Sequence, residues 1–265
     1  MPNECVDNAG EINTSILMRR LRIPLFLLAA VVAGPAFGQS ASEPGLAVSV
    51  DHLSERVFRG LERADDTAQV GVAWRGEAWR AAWKGYAPLR SDAPAEWRLE
   101  GGWGAKAGAR ASFETTLAWS HVTRPQGGMA RDALEFGATV AWTLPREAVV
   151  SVAAFHDFTH EATTGEAAVA RGIPLTRLGA YLDLRAFVGW SDARDWLPRA
   201  AGGRVAGGYG YFGADAVLPY RIGEITSVTL GLSYSEAWNA RDAGIFAGAG
   251  GRRNLAARIG VTFDF

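Results

Sequence analysis

Cysteine is all but missing from this chain. It occurs once, at Cys5, upstream of where the mature protein is expected to begin. A mature chain without thiols excludes disulfides, a thiolate nucleophile and Cys-ligated zinc. It also excludes a lipoprotein, because no cysteine follows the expected cleavage site. Lysine is nearly as scarce, at Lys84 and Lys106 only, and no function is read from that. Net charge is small, with 27 basic and 28 acidic residues in all. A near-neutral chain without a basic block argues against nucleic acid as a partner. After residue 38 no apolar run approaches the roughly 18 residues that a membrane helix needs, so a helical membrane protein is excluded. A transmembrane barrel is not, because its strands need only about 9–11 residues and alternate apolar with polar.

The N-terminal region divides by chemistry. Residues 1–17 are polar and irregular and read as an upstream extension, with Met18 as the true start. Arg19, Arg20 and Arg22 form a basic n-region. Ile23 to Gly34 form an apolar h-region, and Ala36-Phe37-Gly38 is a small-x-small cleavage site. The apolar run is too short to span a bilayer of about 30 Å as a helix. Residues 18–38 are therefore expected to be a cleaved signal peptide. Residues 39–265, beginning at Gln39, are expected to form one large β domain.

What the mature chain does have is alternation. Counting back from the end, Phe265, Phe263, Val261, Ile259, Ala257 and Leu255 alternate with Asp264, Thr262, Gly260, Arg258 and Ala256. A strict period of two gives one oily face and one polar or small face. The same period recurs in hairpin units. The first turns at Gly76-Glu77, with Val70, Val72 and Trp74 going in and Trp79, Ala81 and Trp83 coming back. The second joins Trp97, Leu99 and Trp103 to Phe113, Thr115, Leu117 and Trp119. The third joins Leu134, Phe136, Ala138, Val140 and Trp142 to Val150 and Val152 through Pro145-Arg146-Glu147. A fourth starts near Ala167, turns around Pro174–Arg177 and returns through Leu178 to Trp190. The fifth joins Phe212–Leu218 to Val228–Tyr234 through Ile222–Glu224.

An opening strand near Leu46–Gly60 and a closing strand near Asn254–Phe265 bring the total to twelve. The expected fold is an all-β, single transmembrane, antiparallel up-and-down barrel of about twelve strands, with ten and fourteen as bounds set by residues 160–178. An even count puts both termini on one side. The longer loops, near 61–67, 88–95, 123–132, 160–166, 192–207 and 239–253, are then expected on the outside. Trp74, Trp79, Trp103 and Trp142 fall near the short turns, and Trp97, Trp119, Trp190 and Trp238 near the long loops. Two aromatic levels are what two membrane interfaces select.

The chain also carries Val57-Phe58-Arg59-Gly60 in the opening strand, followed after a polar stretch by Ala68-Gln69. With the leader, the hairpin meander and the aromatic C-terminus, this resembles the TorF-type porins. Their first hairpin carries a similar aromatic-Arg-Gly element and then a Gln. The resemblance covers essentially the whole mature chain, although Arg56 stands where that pattern has an aromatic residue. It implies a pore and brings no established substrate. From the residues alone, Arg59-Gly60 is a strand end running into a surface loop. The terminal Phe265, with Phe263, Val261 and Ile259, resembles the signal read by the outer-membrane barrel assembly machinery.

If the apolar rows meet lipid, the opposite face lines the lumen. That places Arg80, Lys84, Arg98, Glu100, Glu114, Glu135, Asp183, Arg185, Asp215 and Arg258 inside. On the lipid side, Arg or Lys at the midplane would cost roughly 2–4 kcal/mol each. The ten charges balance, which predicts weak ion selectivity or a lumen bridged by ion pairs. Catalysis is poorly supported. The histidines are His52, His121, His156 and His160. His156 and His160 sit too far apart along a strand for one metal. Ser120 and His121, as strand neighbours, point to opposite faces. Gly207-Gly208-Tyr209-Gly210 and Gly248-Ala249-Gly250-Gly251 lack the helix and Lys of a phosphate loop. Asp65-Asp66 reads as a solvated acidic turn.

The leading expectation is an outer-membrane channel, not an enzyme, passing small polar solutes, with no cofactor and no metal. Lipid and the assembly machinery are the expected partners. The alternatives are an outer-membrane hydrolase, which needs a Ser or Asp facing a His near the outer rim, and a structural or ligand-binding barrel with a closed lumen. The oligomeric state is left open.

Overall fold

The computed structural model describes residues 44–59, 61–89, 94–123, 125, 130–192, 208–238 and 253–265. The expected upstream extension, signal peptide and Gln39 start lie outside the described residues. So do Gly60, most of the expected loops 192–207 and 239–253, and the Gly248–Gly251 stretch.

Twelve strands follow one another: β1 Gly45–Phe58, β2 Leu61–Arg75, β3 Trp79–Pro88, β4 Glu96–Ala107, β5 Ala111–Val122, β6 Asp132–Thr143, β7 Val149–Asp157, β8 Ala162–Leu175, β9 Ala180–Ser191, β10 Tyr209–Arg221, β11 Thr226–Trp238 and β12 Arg253–Asp264. Each pairs antiparallel with its chain neighbours, and β1 pairs with β12 to close the barrel. Closure gives every strand two partners. No edge is left open, which is the condition for strands to lie in hydrocarbon. The last residue takes part: Phe265 N–H donates to the Leu46 carbonyl at 2.7 Å, and Leu46 N–H donates back at 3.1 Å. An aromatic terminus thus seals the seam.

The expected fold class and the count of twelve are both realised. Two expected loops are not. Residues 61–67 belong to β2, which runs up to Leu61 and pairs Phe58↔Leu61 and Glu55↔Asp65 across a register shift at Arg56/Val57. Residues 162–166 belong to β8, and the turn that follows it is at 176–179, with Gly179 at φ 61°. The reason is the same in both cases. Polar residues signal a loop only when a strand must bury its polar side in oil. Here one face of each strand is wet, so Thr163, Thr164 and Glu166 extend the ladder instead of ending it.

The two faces separate by parity. Val50, Leu99, Leu117, Val188, Leu230, Leu232, Leu255 and Ile259 lie on the outside and are exposed. The outward tryptophans Trp74, Trp79, Trp103 and Trp142 sit beside the short turns, and Trp97, Trp119, Trp190 and Trp238 at the opposite end. Soluble monomers rarely expose apolar patches beyond a few hundred Å². A belt of this kind around every strand is stable against hydrocarbon, not water. Among the described residues no helix is long and apolar enough to cross a membrane; the strands provide the crossing surface.

Candidate functional site

The opposite parity forms the inner wall, and ion pairs that skip strands demonstrate it. Arg98 on β4 reaches Glu135 on β6 at 2.9 Å. Arg56 on β1 has the parity of Val50 but lies at a register shift, and from there it reaches Glu96 on β4 at 2.8 Å. In a closed cylinder such contacts pass only through the inside. With strands about 4.8 Å apart and tilted about 40°, twelve of them enclose a backbone radius of about 12 Å.

The end of this lumen away from the short turns is crowded, and the β1–β2 hairpin tip crowds it. Arg59, between the two strands, takes a left-handed conformation at φ 51°. Its Nη2 donates to Glu135 Oε2 at 2.5 Å. Its guanidinium lies 4.6 Å from the Phe155 ring centroid and 4.7 Å from that of Phe58. Its carbonyl accepts from the Tyr209 hydroxyl at 3.2 Å. Arg56 stacks over Tyr86 at 3.8 Å. The cavity beneath the tip is lined by Arg56, Arg59, Arg63, Arg98, Glu135 and Asp157, among others. Tyr209 and Tyr211 are the largest fully buried side chains among the described residues. Burying rings and arginines together there calls for partners for their polar atoms, and Tyr211 donates to Glu166 Oε2 at 3.0 Å.

Eight of the ten charges expected on the inner wall join such pairs. Arg80 contacts Glu100 at 3.3 Å and also pairs with Glu114. Arg98 pairs with Glu100 and Glu135. Arg185 pairs with Glu166, and with Asp215 at 3.2 Å. Arg258 binds the buried Asp51 at 2.8 Å, and Gln69 donates to the other Asp51 oxygen at 3.1 Å. Lys84 and Asp183 have no ion-pair partner among the described residues, and Asp183 Oδ1 is buried without a hydrogen bond. The two stand on β3 and β9, on opposite walls.

The short-turn half of the wall is different. Many of its inward positions are small, Ala47, Ser49, Gly71, Ala73, Gly102, Thr262 and Gly260 among them, and the Arg80–Glu114 pair and Asp183 stand between. The histidines sit at the other end. Asp157 Oδ2 meets His160 Nδ1 at 2.7 Å, while its Oδ1 accepts from the backbone N–H of Thr159 and His160 and so shapes the β7–β8 turn. His156 meets Thr163, His121 meets Asp132 and His52 meets Asp66. Ser120 accepts from Arg98 at 3.4 Å, whereas His121 points out beside Trp119. Asp66 therefore partners a histidine on β1 within a strand rather than in the expected solvated turn. Gly208 precedes β10 and Gly210 lies in it, so this stretch enters a strand, as expected of a non-phosphate loop.

Sequence reasoning missed the residues that cross the mouth: Arg56, Arg59, Glu96, Phe155, Glu166, Tyr209 and Tyr211. Arg59 was expected to run into a surface loop; the structure turns it inward. Asp51, between Val50 and His52, and Phe155, between Ala154 and His156, share the parity of the charged face, and that signal could have found them. Nothing local marks Arg59 as inward.

No family model matches the chain, and no curated protein matches it in sequence. Solved structures match over most of its length. The KdgM porin superposes with a TM-score of 0.55 at 7% identity, over 83% of this chain and 99% of that one. The NanC porin gives 0.53 at 10%, over 83% and 100%. LpxR from Salmonella typhimurium gives 0.50 at 10%, over 83% and 100%. At these identities the likeness is one of fold. The chain has the fold of the Gram-negative outer-membrane β-barrels, porins among them.

Proposed function

We propose that the protein is an outer-membrane channel through which small polar solutes diffuse, related to the TorF-type porins and placed in the membrane by the barrel assembly machinery. The observation that carries this reading is the inner wall. Twelve strands enclose more width than small side chains fill, and the short-turn half presents many Ala, Gly, Ser and Thr residues to it. The ten charged residues named from the sequence would line the path. Most are neutralised in pairs, so ion selectivity is expected to be weak. The outward Leu, Val and Trp rows contact lipid.

No catalytic role is needed to account for the Asp157–His160 pair, since the carboxylate is engaged in holding the turn at 158–161. The likeness to solved porins supports the fold and is in keeping with transport. Purified protein in planar bilayers should give discrete conductance steps with little preference between potassium and chloride. Silence at every voltage would count against the channel.

A further inference from the structure

We propose that the tip of the β1–β2 hairpin is the size filter of this channel, with Arg59 held across the opening by braces on three other strands. The inference rests on the channel reading above and adds the element that sets what passes.

The geometry forces the backbone, not only a side chain, into the lumen. β1 and β6 are five strands apart, roughly 23 Å across such a cylinder. That is well beyond what an arginine and a glutamate can bridge from opposite walls. Yet Arg59 and Glu135 are in contact at 2.5 Å. The Arg59 carbonyl gives an independent measure. It accepts from Tyr209 on β10, three strands away in the other direction, at a separation of roughly 17 Å along the wall chord. A tyrosine cannot span that unless the carbonyl itself has moved inward. The two contacts locate the same residue from two sides, and the Phe155 ring on β7 locates it from a third.

The local backbone explains the bend. The register shift between Arg56 and Val57 adds curl to the hairpin, and left-handed conformations at Arg59 and Asp66 turn its upper part over. The tight connection on the opposite side of this end behaves otherwise. In the β7–β8 turn Asp157 takes backbone N–H groups of its own turn, and Phe158 is exposed. One hairpin stands on its wall and the other crosses the mouth.

The test is liposome swelling with a graded series of uncharged sugars, paired with single-channel recording, on wild type, Arg59→Ala, Tyr209→Phe and Ala73→Leu. Folding is checked for each by the heat-dependent gel mobility of the barrel. Arg59→Ala should admit larger sugars and raise unit conductance roughly twofold or more, because the narrowest section governs flow. Tyr209→Phe removes one brace and leaves the ring, and should shift both in the same direction by less. It carries the test should Arg59→Ala not fold. Ala73→Leu, near the short turns, should leave the sugar cut-off unchanged. A conducting wild type with Arg59→Ala and Tyr209→Phe indistinguishable from it would overturn the filter and leave the channel standing. A silent wild type beside a conducting Arg59→Ala would support the filter in a fully closing form. Silence in all would sink both readings.

Discussion

The two ends of the lumen differ more than the two faces of any one strand. At the end away from the short turns the inward positions carry Arg56, Glu96, Arg98, Glu135, Phe155, Glu166, Tyr209 and Tyr211, and Arg59 of the hairpin tip reaches in among them. At the short-turn end alanine, glycine, serine and threonine are frequent, with the Arg80–Glu114 pair and Asp183 among them. The outside is alike in both halves, because lipid asks the same of each. The inside need not be alike, since a wet wall accepts either a small side chain or a charged one that finds a partner. The crowded half is thus where substitution should cost stability, and the sparse half is where it should be tolerated.

Glu135→Ala should open the widest gap between the halves. It takes away the carboxylate that Arg59 and Arg98 share and leaves Arg98 only Glu100, and the loss of that buried partner is expected to cost about 3 kcal/mol, read as a lower urea midpoint in tryptophan fluorescence. Ala118→Leu comes next. Ala118 is buried between Glu100 and Glu135 in register, and overpacking there should cost about 2 kcal/mol, measured in the same way. Tyr211→Phe removes only the hydroxyl given to Glu166, which keeps Arg185. Its cost should be about 1 kcal/mol, seen as a lower melting temperature in detergent. Ala73→Leu faces the sparse half, where side chains have room. It should change stability by less than about 0.5 kcal/mol. An Ala73→Leu penalty as large as that of Ala118→Leu would erase the contrast.

Much of the fold was legible because its signals are local. The alternation of Leu230, Leu232 and Tyr234 with Thr229, Gly231 and Ser233 states a strand and its two faces without reference to any other part of the chain. Short turns at Gly76-Glu77 and Pro145-Glu147 were readable for the same reason. The ten charges were assigned to the inner face from parity alone. The loops were misjudged where polarity stood in for irregularity, at 61–67 and 162–166, because a strand with one wet face can be polar to its end. The mouth was not legible at all. Arg59 and Glu135 are 76 residues apart, and Arg59 and Tyr209 150; no window short enough to show a period contains either pair.

By itself, then, the order of residues determined where most of the strands run and which side of each is oily. Periodicity is a property of neighbours, and neighbours are what a sequence lists. Which arginine meets which carboxylate, and whether a hairpin tip stands up or lies across the opening, was decided only when the barrel closed. Closure brings strands five apart within reach of a common interior, and distances across that interior depend on radius, tilt and a bulge rather than on any local pattern.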